Sequence, residues 1–219
     1  MHKSIINLNT IEKILKAKIN KMPSIIAVSK TFPMSEILPL INHGHIHFGE
    51  NKVQESLEKW TSIKNDFHQI KLHMIGKLQT NKVKYAIPLF DYIHSLDSLR
   101  LAEKISNEQI KQNKFLKIFI QINIGEESQK AGISIDRIES FYEQCTKDLG
   151  LKIIGLMCLP PNNNSKEYFS IMQSLAKKIN GDDLSMGMSN DFLEAATCGS
   201  TYLRIGSKIF GNRSIKSQS

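Results

Sequence analysis

Lys30, Ser189, Arg204, Gly206 and Ser207 are the residues of this 219-residue chain whose types and settings could do chemistry together. Lys30 closes the run Ile25-Ile26-Ala27-Val28-Ser29 and precedes Thr31-Phe32-Pro33. Read as a strand, alternation puts Ile26, Val28 and Lys30 on one face and Ala27, Ser29 and Thr31 on the other. Both faces are mostly apolar, which fits a strand of a parallel sheet buried on both sides. A lysine at the C-terminal end of such a strand keeps its stem in a core and its amine at the rim. Partial desolvation there lowers the pKa and makes the amine a nucleophile toward carbonyls. On position alone, the plainer account is a strand end where Lys30 snorkels to water.

The other residues change that balance. Gly187-Met188-Ser189-Asn190-Asp191 passes from a strand to a helix and offers a hydroxyl with helix N-terminal amides. Arg204-Ile205-Gly206-Ser207 offers a second glycine-serine turn. Each alone reads as a helix cap, with Ser189 or Asn190 and Ser207 at the Ncap. Together they read as a phosphate cradle, because free amides at helix starts favour anions.

The elements that must position these groups alternate along the chain. A helix is expected over 8–21, with Leu8, Ile11, Ile14, Leu15 and Ile19 inward and Pro23 ending it. The Lys30 strand follows, then a helix opened by Pro33 and closed by His43-Gly44. Further strands are expected at 45–51, ending in the polar turn Gly49-Glu50-Asn51, and at 72–76, 91–97, 115–124, 151–159, 184–189 and 201–206. Helices are expected at 53–63, from Lys77 onward, at 98–112, 135–149, 166–179, 191–197 and 207–211. A polar loop spans 125–132, Asn162-Asn163-Asn164 makes another, and 214–219 reads as a frayed tail.

Eight strands alternating with helices, with no linker or composition shift, predict a single (β/α)8 barrel domain over residues 1–219. The alternative is an open doubly wound sheet, but Ser29-Lys30-Thr31-Phe32-Pro33 is not a glycine-rich dinucleotide turn. Barrel active faces lie at the C-terminal strand ends, with phosphate at units seven and eight. The strand-end candidates are Lys30, Asn51, His73 through Gly76, Asp97, Asn123, Met157 with Pro160, Ser189 and Arg204 through Ser207. In a closed barrel, strand one neighbours strand eight, so Lys30 lies beside the cradle. Lysine with phosphate suggests pyridoxal 5′-phosphate (PLP) held as a Schiff base, while aldolase-type chemistry stays open at this point.

Composition narrows the partners. The formal net charge is +8, but the lysines are spread through the chain and no aromatic-basic RNA signature accompanies them, so no specific nucleic acid is expected. No apolar run reaches membrane-span length and no secretion signal is visible, so no membrane contact is expected. Cys145, Cys158 and Cys198 form no CxxC pair, as expected of reduced thiols in a cytoplasmic protein.

Several longer motifs carry a resemblance. Ala27-Val28-Ser29-Lys30-Thr31, Phe48-Gly49-Glu50-Asn51, His73-Met74-Ile75-Gly76-Lys77-Leu78-Gln79-Thr80-Asn81-Lys82, Gly155-Leu156-Met157, Leu184-Ser185-Met186-Gly187-Met188-Ser189-Asn190-Asp191 and Arg204-Ile205-Gly206-Ser207-Lys208-Ile209-Phe210-Gly211 closely resemble the pyridoxal phosphate homeostasis protein family. The likeness runs from about residue 11 to residue 213. It implies a barrel like the N-terminal domain of alanine racemase, of PLP fold-type III. It implies PLP on Lys30, phosphate near Ser189 and Gly206-Ser207, and Arg204 facing the pyridine nitrogen. Asn51, His73, Met157 and Asn190 complete the candidate cofactor contacts. Leu72 and Ser207 depart from the family pattern, which often has an aromatic residue and a threonine at these places.

The implied chemistry is restrained. A guanidinium only donates hydrogen bonds, so Arg204 disfavours a protonated pyridine and leaves a weaker electron sink. A racemase also needs a second base, and the chain has no room after strand eight for the domain that supplies one in alanine racemase-like enzymes. His73 and Tyr202 are the nearby candidates, and His73 reads better as an orienting or core histidine. The expectation is a cytoplasmic, monomeric PLP carrier serving vitamin B6 and amino-acid homeostasis, with PLP-dependent apoenzymes as recipients and no catalytic residue. A weak amino-acid racemase is the alternative.

Overall fold

The computed structural model describes residues 1–127, 129–161 and 164–211. Ser128, Asn162, Asn163 and the expected tail 214–219 lie outside the described residues. Eight parallel strands close into one barrel in the order β1 to β8. They are Ser24–Val28 (β1), His47–Glu50 (β2), Lys71–Met74 (β3), Tyr92–Leu96 (β4), Lys117–Ile122 (β5), Ile153–Cys158 (β6), Asp183–Ser185 (β7) and Tyr202–Ile205 (β8). β1 pairs with both β2 and β8, for example Ala27 with Phe48 and with Ile205. The open-sheet alternative is thereby excluded.

Alternation sorts each strand between two cores. On β1, Ile25 and Ala27 join the large cluster beneath the helices. Ile26 joins a second cluster with Tyr92, Phe119, Met157 and Tyr202, which fills the lumen. Gly49 leaves the room Ile26 needs, since a Cβ there would meet the Ile26 side chain at 2.8 Å.

The outer ring contains Met34–Asn42 (α2), Val53–Asp66 (α3), Val83–Leu89 (α4), Leu99–Gln112 (α5), Ile138–Glu143 (α6), Ser165–Lys178 (α7), Phe192–Thr197 (α8) and Ser207–Phe210 (α9), preceded by Lys3–Lys16 (α1). α1 packs on α2, α8 and the very short α9, and so fills the gap a full eighth helix would occupy. Leu8, Ile11 and Leu15 are its buried stripe, and Asn7 donates to the Ile209 carbonyl at 2.9 Å.

Several boundaries differ from expectation. α1 begins at Lys3, where the His2 ring accepts the Ser4 amide, and ends at Lys16 rather than 21. Beyond it only Ile19 is half-buried, too little apolar surface to hold another turn, and Ile14 faces outward at 40% exposure. Lys77-Leu78-Gln79 is not helical; a 3-10 turn at Thr80–Lys82 leads into α4, with Leu78 plugged inward. The 135–149 helix is broken into a 3-10 turn, α6 and a π-helical turn at Gln144–Asp148. β1 stops at Val28, because Thr31 has φ 67° and turns the chain. β7 stops at Ser185, which places Gly187 and Ser189 in a loop.

Candidate functional site

A cavity of about 810 Å³ opens at the C-terminal ends of the strands. Its wall brings together Lys30, Asn51, Ser189, Asn190, Arg204, Gly206 and Ser207, with Val28, Ile75 and Pro160 beside them. His73 and Met157 do not reach it. Both are buried one step deeper, His73 at 0% and Met157 at 1% exposure. Strands β3 and β6 continue past them, so Ile75 and Pro160 line the cavity instead.

Lys30 stands on a turn beyond β1 rather than on the strand itself. The turn is anchored from below by α3 and β2. The Thr31 amide donates to Glu55 Oε1 at 2.7 Å, and the Ser29 hydroxyl donates to Glu50 Oε1 at 2.8 Å. Lys59 Nζ donates to the carbonyls of Ser29 and Phe32 at 3.0 and 3.3 Å, and pairs with Glu50 at 2.8 Å and Glu55 at 3.1 Å. Trp60 Nε1 adds a third donor to Glu50 Oε1 at 3.0 Å. Burial pushes Glu55 upward, but the Thr31 amide and Lys59 outweigh it and hold its carboxyl below the usual range. Glu50 is fully buried, with Ser29, Lys59 and Trp60 as the donors at its Oε1. Lys59→Met is therefore expected to cost about 3 kcal/mol, since it leaves a buried carboxylate short of its partner. Chemical denaturation measures this, and a loss below ~1 kcal/mol would show the pair to be of surface type.

On the neighbouring strand β8, which pairs with β1, Arg204 is 4% exposed. Its Nη1 donates to Ser185 Oγ at 2.6 Å and its Nη2 to the Cys158 carbonyl at 2.8 Å. Among the described residues no carboxylate lies within ion-pair distance of it. Burial lowers its pKa, with Cys158 and Asp191 acting the other way. A buried guanidinium without a counter-ion is costly unless something anionic or lone-pair-bearing faces it.

The cradle between them is built from two loops tied together. Ser189 Oγ accepts the Lys208 amide at 3.3 Å, which leaves the hydroxyl proton to donate into the cavity. The Gly187 carbonyl accepts the Arg204 amide at 2.9 Å, and Asp191 Oδ1 accepts the Met188 amide at 2.6 Å. Gly187 has φ +90°, and a Cβ there would press on the Ala195 methyl, so glycine is required. The backbone amides of Ser189, Asn190 and Ser207 have no acceptor among the described residues.

Comparison with known proteins decides the family. The profile described as alanine racemase, N-terminal domain, matches residues 6–214. The pyridoxal phosphate homeostasis protein of Aquifex aeolicus is 36% identical over 199 residues, covering 86% of each chain. The chain belongs to the pyridoxal phosphate homeostasis protein family. PipY of Synechococcus elongatus, solved with PLP bound, superimposes with a TM-score of 0.85 at 29% identity, over 95% of this chain and all of that one. Alanine racemase of Corynebacterium glutamicum shares the fold alone, with a TM-score of 0.71 at 15% identity over 94% of this chain and 59% of its own.

Within this family barrel, the lumen beneath the cavity holds a line of polar groups that sequence reasoning did not assemble. His47 Nδ1 meets His73 Nε2 at 2.9 Å, His73 Nδ1 meets His94 Nε2 at 2.9 Å, and His94 Nδ1 meets Ser185 Oγ at 2.8 Å. His73 stacks on Tyr92 and His94 on Phe119, with centroids 4.1 and 4.3 Å apart. Burial first, then neighbouring charge, drives the His73 and His94 pKa values well below the ordinary 6.5. His73 is thus a core histidine with both nitrogens engaged. Tyr202, the other second-base candidate, is pushed upward by burial and by its hydrogen bond with Tyr92. Glu50, Glu55 and Lys59 were also missed as the anchors of Lys30. The visible signal was a histidine in each of three successive apolar strands, and a glutamate at the end of the first of them, just before Asn51.

The thiols take no part. Cys145 and Cys158 are buried and pushed up to about 12 by burial, and the three cysteines are all free. Among the described residues, no helix is long and apolar enough to cross a membrane.

Proposed function

We propose that this chain binds PLP in the cavity at the strand ends and serves as a carrier of the cofactor rather than as an efficient enzyme. The observation that carries the reading is Arg204, a buried guanidinium with no carboxylate partner among the described residues, lining the same cavity as Lys30. The donor set fits the three functional ends of PLP. Lys30 supplies an amine for the aldehyde, held as a Schiff base. Arg204 supplies a donor for the ring nitrogen, and Ser189 with the open amides of Asn190 and Ser207 supplies donors for the phosphate. Asn51, which lines the cavity with Ile75, would be a further polar contact for the ring. When bound, PLP supplies an electron sink for carbanions at an amino-acid α-carbon.

This chain's own residues restrain that chemistry. Arg204 has no lone pair to offer, so it leaves the ring nitrogen unprotonated and the sink weak. Among the described residues the cavity wall carries no histidine, tyrosine or cysteine that could act as a second base. Its carboxylates are engaged: Asp191 with the Met188 amide and Glu194 with the Ser165 hydroxyl at 3.2 Å. A cytoplasmic monomer delivering PLP to apoenzymes is the role that follows, in line with relatives named for PLP homeostasis.

The test is incubation of the PLP-loaded protein with single L-amino acids in heavy water, beside transfer of PLP to a PLP-dependent apoenzyme. Transfer with negligible α-deuterium exchange is expected; fast exchange with racemisation overturns the carrier role. In the same assay Ser189→Ala is expected to raise the Kd for PLP by about tenfold or more, because a hydrogen bond to a charged group is lost. An unchanged Kd removes Ser189 from the phosphate site.

A further inference from the structure

The line of hydrogen bonds through the lumen runs from the cavity to the opposite end of the barrel. It starts at Arg204 on β8, reaches Ser185 on β7, crosses to His94 on β4 and passes through His73 on β3 to His47. His47 is the first residue of β2, at the N-terminal face, and is half-buried. Lys71, Asp91 and Lys117 surround it there.

The line has a direction, and one group sets it. An arginine nitrogen can only donate, so Ser185 Oγ must accept from Arg204. Ser185 is fully buried, and among the described residues its sole other partner is His94 Nδ1. Its hydroxyl proton therefore goes to His94 Nδ1, because a buried proton without an acceptor costs free energy. His94 Nδ1 is then an acceptor, and its proton sits on Nε2, pointing at His73 Nδ1. The same rule makes His73 carry its proton on Nε2, pointing at His47 Nδ1. The reverse direction would strand the Ser185 proton and aim the positive end of every imidazole dipole at the guanidinium. In the forward direction each ring turns its lone pair toward Arg204. Three neutral rings and a hydroxyl thus do part of what a carboxylate counter-ion would do.

We propose that Ser185, His94, His73 and His47 form a one-way hydrogen-bond relay that positions Arg204, disperses its charge and couples the cavity to the far face of the barrel. Ser185 and His94 are positioning residues that act through Arg204. The far-face terminus is His47, whose Nδ1 is the final acceptor. A change in what Arg204 donates to alters the polarisation of the line and is read at His47. Burial lowers the pKa of His47 to about 4, with Lys71 adding to the effect. It is therefore neutral near neutral pH, as the final acceptor must be.

The test is two-bond proton–nitrogen correlation of protein labelled with ¹⁵N-histidine, first without PLP. His73 and His94 are expected as the Nε2–H tautomer, with acceptor-type Nδ1 shifts and slowly exchanging Nε2 protons. An Nδ1–H tautomer or an imidazolium at either ring overturns the relay, and this arm needs no variant. Ser185→Ala then removes the hydroxyl that sets the direction. His94 is expected to lose its single tautomer and the ¹⁵N shifts of His47 to move; an unmoved His47 overturns the coupling. The last arm rests on the PLP reading. PLP is expected to shift the His47 signals of the wild type, and Ser185→Ala to weaken PLP binding by about tenfold. Absence of PLP binding in the wild type condemns the cofactor reading alone. Binding that leaves the His47 signals unmoved condemns the relay alone.

Discussion

Lys30→Ala is expected to abolish the violet absorbance band that PLP develops on binding, while the protein unfolds within about 1 kcal/mol of the wild type. The two halves follow from one placement. Lys30 supplies the amine on the cavity wall, so its removal leaves PLP held by non-covalent contacts alone. Yet the turn beneath it is fixed by other groups. Thr31 is bound to Glu55, Ser29 to Glu50, and both flanking carbonyls to Lys59. Absorbance titration with PLP and chemical denaturation read the two halves separately. A band that survives in the variant would falsify the assignment of Lys30. Lys59→Met is the converse case, since it costs stability while the chain keeps the Lys30 amine.

A steep loss of stability in mild acid is the second large effect. His73 and His94 are held neutral in the folded barrel, with pKa values well below 6.5, and regain ordinary values on unfolding. Below about pH 6.5 the unfolded chain binds protons that the folded chain refuses, so stability falls as pH falls. Each buried histidine contributes about 1.4 kcal/mol per pH unit, and the pair costs about 4 kcal/mol by about pH 5. His45 and His47, both lowered to about 4 chiefly by burial, act in the same direction. Above about pH 6.5 the contribution is complete and the curve flattens. Denaturation midpoints measured from about pH 7.5 to about pH 5 decide it. Exposed carboxylates titrate lower, so a flat profile in that window would mean that the rings are already charged or accessible.

Much of the fold was legible because a parallel barrel strand is apolar on both faces and short. Ile25 through Val28 and Phe119 through Ile122 announce themselves without any partner. Lys30, Ser189, Arg204 and Gly206 were legible for a related reason: each is polar at the edge of an apolar run. What stayed hidden depends on closure. His47, His73 and His94 are 26 and 21 residues apart in sequence, and only the barrel brings their rings into line. Glu50 reads as part of a polar Gly-Glu-Asn turn until α3 lays Lys59 and Trp60 over it. Strand-end position alone also overreached by one layer at His73 and Met157, because the run does not say how far the chain continues beyond each strand.

The packing of α1 has a consequence for the order of events on the ribosome. Its buried stripe of Leu8, Ile11 and Leu15 rests on α2, α8 and α9, and Asn7 bonds a carbonyl 202 residues downstream. This helix, made well before α8 and α9, is therefore among the last to find its seat. Until α8 and α9 emerge, its apolar face has only α2 to cover it. Closure of such a sequence-distant contact pays its chain entropy late. Through most of its synthesis this helix therefore has an apolar stripe that its later partners have yet to cover.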